Sequence, residues 1–476
     1  MQSPNKYVFC DFLLTRPKKC VILVLLNMLK GGIVMDRKIT KKLIAWKNSK
    51  NRKPLVLFGA RQVGKTYSLL AFGKEHYREV AYFNFENNPK LWDIFADDLD
   101  TDRIILALGA LSGKNITKGG TLIIFDEIQA EPRAVTSLKY FCEDNPEYHV
   151  AAAGSLLGVA TNRETVSFPV GKIDELTMFP LDFGEFLSAM GEDALKDLIA
   201  ESFLGDKLLT EPLHRKAIAL YRTFLLVGGM PECVNEYLAR KDFDFVRIKH
   251  QNIFNDYTAD MSKYVTKTEA IRNEAVFNSI PSQLAKENKK FQYRLIGENA
   301  RSRNYEDAVR WLIKSGIVLV CYKAKEGKTP VEFYKDNLSY KIYMSDVGLL
   351  SAKWMLPFNN VLSDINFGGE AKGALAENYV AEQLVANGIK LYYWEANEKG
   401  EIDFLLQTDE GVIPIECKAG ENVRSMSLAR SYIPKYNPLY SIRISAKNFG
   451  FENNIKSVPL YAVWCITDKI RCSVQQ

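Results

Sequence analysis

The stretch Gly59-Ala60-Arg61-Gln62-Val63-Gly64-Lys65-Thr66 has the spacing G-x-x-x-x-G-K-T, and its residue types suit the binding of a nucleoside triphosphate with Mg2+. Glycines at both ends let the backbone wrap a phosphate so that successive N–H groups point inward, at the start of a helix whose dipole favours anions. Lys65 reaches the β- and γ-phosphates, and the Thr66 hydroxyl is a ligand for Mg2+. The flanking sequence fits that geometry: Leu55 to Phe58 is a short apolar run of strand type, and Tyr67, Leu69, Leu70 and Phe72 continue as one face of a helix.

A second run supplies carboxylates. Thr121-Leu122-Ile123-Ile124-Phe125 reads as a fully apolar strand ending in Asp126-Glu127. Asp126 at the strand tip is placed to hold the Mg2+ water shell, and Glu127 to activate an attacking water, although an acidic residue there also serves as a solvated helix cap. A further apolar strand, Tyr148 to Ala153, ends in Gly154-Ser155. Ser155 is either a sensor of the γ-phosphate or the N-cap of the helix that starts at Leu156. Arg61, Arg133 and Arg163 are the candidates for neutralising transition-state charge, and the sequence does not choose among them.

More carboxylates lie near the other end. Leu375 to Leu384, containing Glu377, reads as a helix, and strand-like runs separated by turns follow it. In Glu401-Ile402-Asp403-Phe404-Leu405 the period of two places Asp403 opposite Ile402 and Phe404. In Ile413-Pro414-Ile415-Glu416-Cys417-Lys418 it places Glu416 and Lys418 on one face. A carboxylate and an ammonium on an otherwise apolar strand are costly to bury without a use. Cleavage of a phosphodiester with a divalent metal is one use, in which Asp403 and Glu416 ligate Mg2+ or Mn2+, Glu377 completes the shell and Lys418 orients water. A structural salt bridge between Lys418 and an acid is the plainer use.

The elements positioning these groups belong to several domains, as a length of 476 residues requires. Residues 35–175 read as a P-loop ATPase with a parallel sheet, and residues 176–260 as a helical lid. There Gly228-Gly229-Met230-Pro231 makes a sharp turn, a hinge or a simple loop. Residues 261–360 show helix, helix and hairpin, the order of a winged helix-turn-helix. Arg301, Arg303, Arg310 and Lys314, with Lys286, Lys289, Lys290 and Arg294 upstream, offer a basic face for phosphates or a plain solvated surface. Residues 361–476 read as an α/β domain of restriction-endonuclease-like type, because Asp403, Glu416 and Lys418 follow the order D-x(n)-E-x-K on strands after a helix.

Bulk properties narrow the classes. A net charge of +6 permits a nucleic-acid partner without demanding one. Eight cysteines without a C-x-x-C pair, and four histidines, argue against zinc and for reduced thiols in a cytoplasm. Arg16, Lys18 and Lys19 before Val21 to Leu26 mimic a signal peptide, but the apolar run is too short to span a bilayer. Because Met35 opens a self-sufficient helix and strand, residues 1–34 read as an over-extended N-terminus.

Several of these runs together resemble a prokaryotic family of AAA-type ATP-binding proteins, in which a P-loop ATPase is joined to a C-terminal domain of unknown function with a restriction-endonuclease-like core. They are Gly59 to Thr66, Asp126 to Gln129, Gly154 to Leu157, Phe168 to Lys172, Gly228 to Glu232, Ser345 to Leu349 and Glu401 to Lys418. The resemblance implies an ATPase with a DNA-associated or defence-like role. Two functions follow as expectations. In one, an ATP-hydrolysing enzyme couples nucleotide state to a DNA-interacting, nucleolytic C-terminal domain. In the other, an ATP-dependent switch or scaffold carries a non-catalytic partner-binding domain. Since sites of this type are often completed by a neighbour's arginine, a homo-oligomer is compatible with either; a membrane-attached form is the least favoured.

Overall fold

Short apolar runs that end in glycine or carboxylate are the pattern of buried parallel strands, and three such runs, ending at Gly59, Asp126 and Gly154, build one sheet together with two more polar strands. The structure, a computed structural model, describes residues 35–154, 168–263, 265–286, 289–365, 367–396, 400–421 and 427–469. Its strands are β1 (Leu55–Phe58), β2 (Glu79–Asn84), β3 (Thr121–Asp126), β4 (His149–Ala153) and β5 (Asp174–Thr177), then β6 (Val318–Ala324) and β7 (Lys335–Met344). After these come β8 (Tyr392–Ala396), β9 (Gly400–Ile402), β10 (Phe404–Thr408), β11 (Gly411–Cys417), β12 (Ser441–Ser445), β13 (Gly450–Glu452) and β14 (Ile455–Pro459). The chain divides into two compact units, one of residues up to 58 with 64–177, the other of 59–63 with 178 onward.

In the first unit the order is β2-β3-β4-β1-β5, and each neighbouring pair is parallel. Every residue of β3 and β4 is buried, as expected where helices cover both faces of a parallel sheet. On one side Val56, Phe83, Phe125 and Val150 pack with Phe85, Phe95 and Phe141. Phe125 meets the Phe85, Phe95 and Phe141 rings edge-on, at centroid distances of 5.5 to 6.2 Å, the arrangement that aromatic quadrupoles favour. This core fixes the C-terminal end of β3, where the carboxylates stand.

The second unit opens with helices, among them Phe183–Ala189, Glu211–Val227, Pro231–Arg240 and Phe243–Ser262. The Gly228-Gly229 turn within them is locked by close approach, which argues for a fixed corner over a hinge. Gly228 has φ +71°, and a Cβ on it would stand 2.2 Å from an Asp346 carboxylate oxygen. A Cβ on Gly229 would lie 2.0 Å from the Leu181 carbonyl oxygen. Asp346 accepts the Gly229 N–H at 2.6 Å and the Leu349 N–H at 2.9 Å, so the Gly-Gly turn and the Ser345-Asp346-Val347-Gly348 run are one packing unit.

Further on, the helices Lys267–Leu284 and Ser302–Lys314 precede the antiparallel pair β6·β7. β6 also pairs in parallel with β8, giving the four-stranded sheet β7-β6-β8-β9. The remaining strands form the sheet β10-β11-β12-β14-β13, in which β10·β11 is antiparallel and β11·β12 parallel. Among the described residues no single helix is long and apolar enough to cross a membrane.

His250 yields a stability prediction. Its ring is 2% exposed and its Nε2 bonds the Val227 carbonyl at 3.0 Å, while burial pushes its pKa down from 6.5 to about 4. The native state therefore binds fewer protons than the unfolded one between these values, so this stability is complete above the unfolded pKa and is lost as pH falls. Urea unfolding is expected to lose about 3 kcal/mol from this ring between about pH 7 and pH 4. In His250→Gln that part of the acid slope should vanish; an unchanged slope refutes the assignment.

Candidate functional site

Three backbone features prepare the phosphate loop. Gly59 has φ +145°, and any Cβ there would lie 2.2 Å from the Met178 carbonyl oxygen. Gln62 and Gly64 have positive φ, 66° and 96°, so the peptides turn N–H groups in directions a regular strand or helix cannot. The helix Lys65–His76 then begins, with Gly64 at its N-cap and no side chain capping it.

Within the first unit Thr66, on the helix Lys65–His76, and Asp126, at the end of β3, come together. Thr66 Oγ1 lies 3.1 Å from each carboxylate oxygen of Asp126. Tyr82 donates to Asp126 Oδ2 at 2.6 Å, and Asn84 approaches the same oxygen at 3.5 Å. Burial raises the Asp126 pKa above the usual carboxylate value and neighbouring Glu127 adds to the rise, while bonds from Tyr82 and Thr66 and the charge of Lys65 oppose it. A hydroxyl and a carboxylate of high proton affinity, converging in a buried place, form a hard oxygen donor set of the kind Mg2+ takes. Lys65 is itself buried, at 7% exposure.

Glu127 adopts a left-handed backbone, φ 51°. It occupies the N-cap position of the short turn Ile128–Ala130, yet its side chain makes no cap hydrogen bond. Instead Gln129 Nε2 donates to Glu127 Oε2 at 2.5 Å. Gln129, a residue the sequence reading quoted without a role, therefore orients the candidate base.

The arginine candidates separate. Arg61 forms an ion pair of 2.9 Å with Asp260, which is 3% exposed, and Gln62 bonds Asp256 on the same helix. Arg133 donates to the Asp97 carbonyl at 3.4 Å and stands near Asp98. Ser155 and Arg163 lie outside the described residues.

At the C-terminal site Asp403 falls between β9 and β10, where the chain leaves one sheet for the other. That break turns Asp403 inward: its Oδ2 accepts the Cys417 N–H at 2.7 Å. Carboxylate oxygens of Glu377, Glu401 and Asp403 all lie within 4.8 Å of one another. Glu416 is 1% exposed; Lys418 pairs with its Oε1 at 3.3 Å, and its Oε2 has no hydrogen-bond partner among the described residues. The cluster thus contains Glu401, which sequence reasoning quoted but did not assign, although its spacing of two from Asp403 was a usable signal.

Two lysines enter the same cluster. Lys341, 1% exposed on β7, bonds Glu377 at 2.9 Å and also Glu401. Lys289 bonds the other oxygen of Glu377, so it faces inward rather than forming part of the basic surface. Tyr343 donates to Glu377 Oε1 at 2.5 Å. Burial alone would raise the Glu377 pKa, but the charges of Lys341 and Lys289 outweigh it and hold the carboxyl well below its usual range. For Asp403, burial with the Glu377 charge outweighs the pull of Lys341 and raises it.

Residues 51–187 match the AAA domain family. This segment is similar to AAA-type P-loop domains. The AAA-type segment is followed by matches to two domains of unknown function, DUF8612 over residues 218–360 and DUF4143 over 372–463. Among curated proteins, the uncharacterized protein MJ1544 of Methanocaldococcus jannaschii is 29% identical over 213 residues, 44% of this chain. The aligned part spans 42% of that relative's length. Among solved structures, the Walker-type ATPase PABY2304 of Pyrococcus abyssi is similar over 68% of this chain and 97% of its own, with 16% identity and a TM-score of 0.40. The Aeropyrum pernix ORC2 protein in its ADPNP–ADP complexes is similar over 78% of this chain and 96% of its own, with 13% identity and a TM-score of 0.30.

Proposed function

We propose that this chain is a Mg2+-dependent ATPase whose nucleotide state governs the DNA engagement of the region beyond the AAA-type domain. The observation that carries the first half is the placement of Thr66 Oγ1 3.1 Å from both oxygens of Asp126. Gly59 to Gly64 would wrap the phosphates, Lys65 would neutralise them, and Thr66 with Asp126 would hold the metal. Bound Mg2+ would supply charge neutralisation across the phosphates. Glu127, steadied by Gln129, would accept the proton of the attacking water.

Support for a DNA partner comes from Arg301, Arg303, Lys314 and Lys286, which are exposed around the helix Ser302–Lys314 and its approach. The helix-helix-hairpin order fits a winged helix, whose basic face would contact phosphates. A second reading takes the C-terminal domain as a metal-dependent nuclease. It draws on the order of the Glu377 helix, the β10·β11 hairpin and the parallel β12, and on the buried, unpartnered Oε2 of Glu416. Labelled single- and double-stranded DNA, incubated with Mg2+ or Mn2+ with and without ATP, separates the readings. Binding without cleavage supports the switch; cleavage that disappears in Asp403→Ala supports the nuclease.

Hydrolysis has its own test. Glu127→Gln should keep ATP bound with little change in Kd while turnover falls about 100-fold or more, the usual size of a lost general base. Normal phosphate release by this variant would remove Glu127 from the base role.

A further inference from the structure

The restriction-endonuclease-like resemblance implies a divalent metal at the C-terminal carboxylates, and the residues around the group Glu377, Glu401 and Asp403 do not fit one. A cation already stands there. Lys341 Nζ is bonded to both Glu377 and Glu401, two of the three residues whose oxygens gather within 4.8 Å. A Mg2+ or Mn2+ ion bound to those oxygens sits about 2.0 to 2.2 Å from each, in the volume the ammonium fills.

Nor can the lysine readily move aside. Lys341 lies inside β7, opposite Cys321 of β6, and its ammonium stands 5.0 Å from the centroid of the Tyr393 ring. Its side chain is 1% exposed, so the amine is held away from water. Lys289 occupies the second oxygen of Glu377. Charge points the same way, because the carboxylates of Glu377, Glu401 and Asp403 already face the ammonium groups of Lys341 and Lys289. Adding a dication would leave these five groups with a net positive charge in a buried place, where unbalanced charge is costly.

We propose that Lys341 is the resident cation of the C-terminal carboxylate cluster and stands in for a divalent metal. The cluster is then a fixed structural centre joining β7, β9 and the helix Gly369–Ala386. This inference does not depend on the nucleotide reading, and its test leaves ATP out.

Mn2+ binding to the full-length chain, followed by electron paramagnetic resonance without nucleotide, decides it. Asp126→Asn serves as the background, so that the AAA-type domain loses the carboxylate of its own metal site. With Lys341 intact, no Mn2+ site tighter than about 1 mM is expected. Adding Lys341→Met should create one, and adding Asp403→Asn to that should remove it again. A Mn2+ site present with Lys341 intact and lost in Asp403→Asn overturns the proposal, whether or not the Lys341→Met chain folds. A folded Lys341→Met chain that takes up no Mn2+ overturns it as well.

Discussion

Replacing Lys65 by alanine should weaken binding of Mg2+–ATP by about 100-fold or more, seen as the loss of a calorimetric signal at concentrations that saturate the unaltered chain. Lys65 begins the helix Lys65–His76 and is buried at 7% exposure beside Asp126. Its ammonium would meet phosphate oxygens in a place with little competing water, where charge-assisted bonds count about 1.5 to 3 kcal/mol each. Two such bonds exceed the roughly 2.7 kcal/mol that corresponds to 100-fold. The fold should survive, because the core of this unit is the aromatic cluster around Phe125, which Lys65 does not join. Circular dichroism and a melting curve like those of the unaltered chain separate a lost ligand contact from a lost structure. Undiminished affinity in a folded Lys65→Ala chain would remove the phosphate role from this residue.

The nucleotide site could be read from sequence because its parts are close along the chain or announced by strand ends. The glycine spacing is local, and a fully apolar strand ending in Asp126-Glu127 marks a parallel-sheet tip without knowledge of its neighbours. Tyr82 and Asn84 were not legible. They reach Asp126 because β2 pairs with β3 in a register that sets Asn84 beside Asp126, and register between distant strands is not written in either strand alone. Gln129 was within reach, two residues from Glu127, but its amide direction depends on the left-handed turn at Glu127.

At the C-terminal site the alternation of polar and apolar residues found the strands and missed the wiring. Asp403 could be placed on a face, whereas the break between β9 and β10 that carries it into a buried cluster comes from two different sheets claiming adjacent residues. Lys341 lay in Tyr340-Lys341-Ile342-Tyr343-Met344, a run where a lone charge on a strand asks for a partner. That partner is on a helix more than thirty residues later. Lys289 illustrates the converse. Grouping it with other cations by sequence proximity made it a surface residue, and a single long-range bond to Glu377 turns it inward.

This wiring predicts an unusually large loss of stability for Glu377→Leu. The substitution removes the shared partner of Lys341 and Lys289 and the acceptor of the Tyr343 hydroxyl. Breaking a buried pair by deleting one member costs about 3 to 5 kcal/mol, because the stranded charge stays out of water. An upper bound comes from chemistry: a lysine of ordinary pKa can escape by releasing its proton, which at pH 7 costs about 4.6 kcal/mol. Adding Lys341→Met to Glu377→Leu should therefore recover a large part of the loss, since an apolar pair replaces a broken ionic one and leaves Glu401 with a solvent-accessible side chain, 32% exposed. Urea midpoints of the two single variants and the double give the coupling directly, at an expected 1 to 3 kcal/mol or about that range for contacting groups. Additive losses would mean that Lys341 draws its stabilisation from Glu401 and the Tyr393 ring instead, and that Glu377 is held by Lys289 alone.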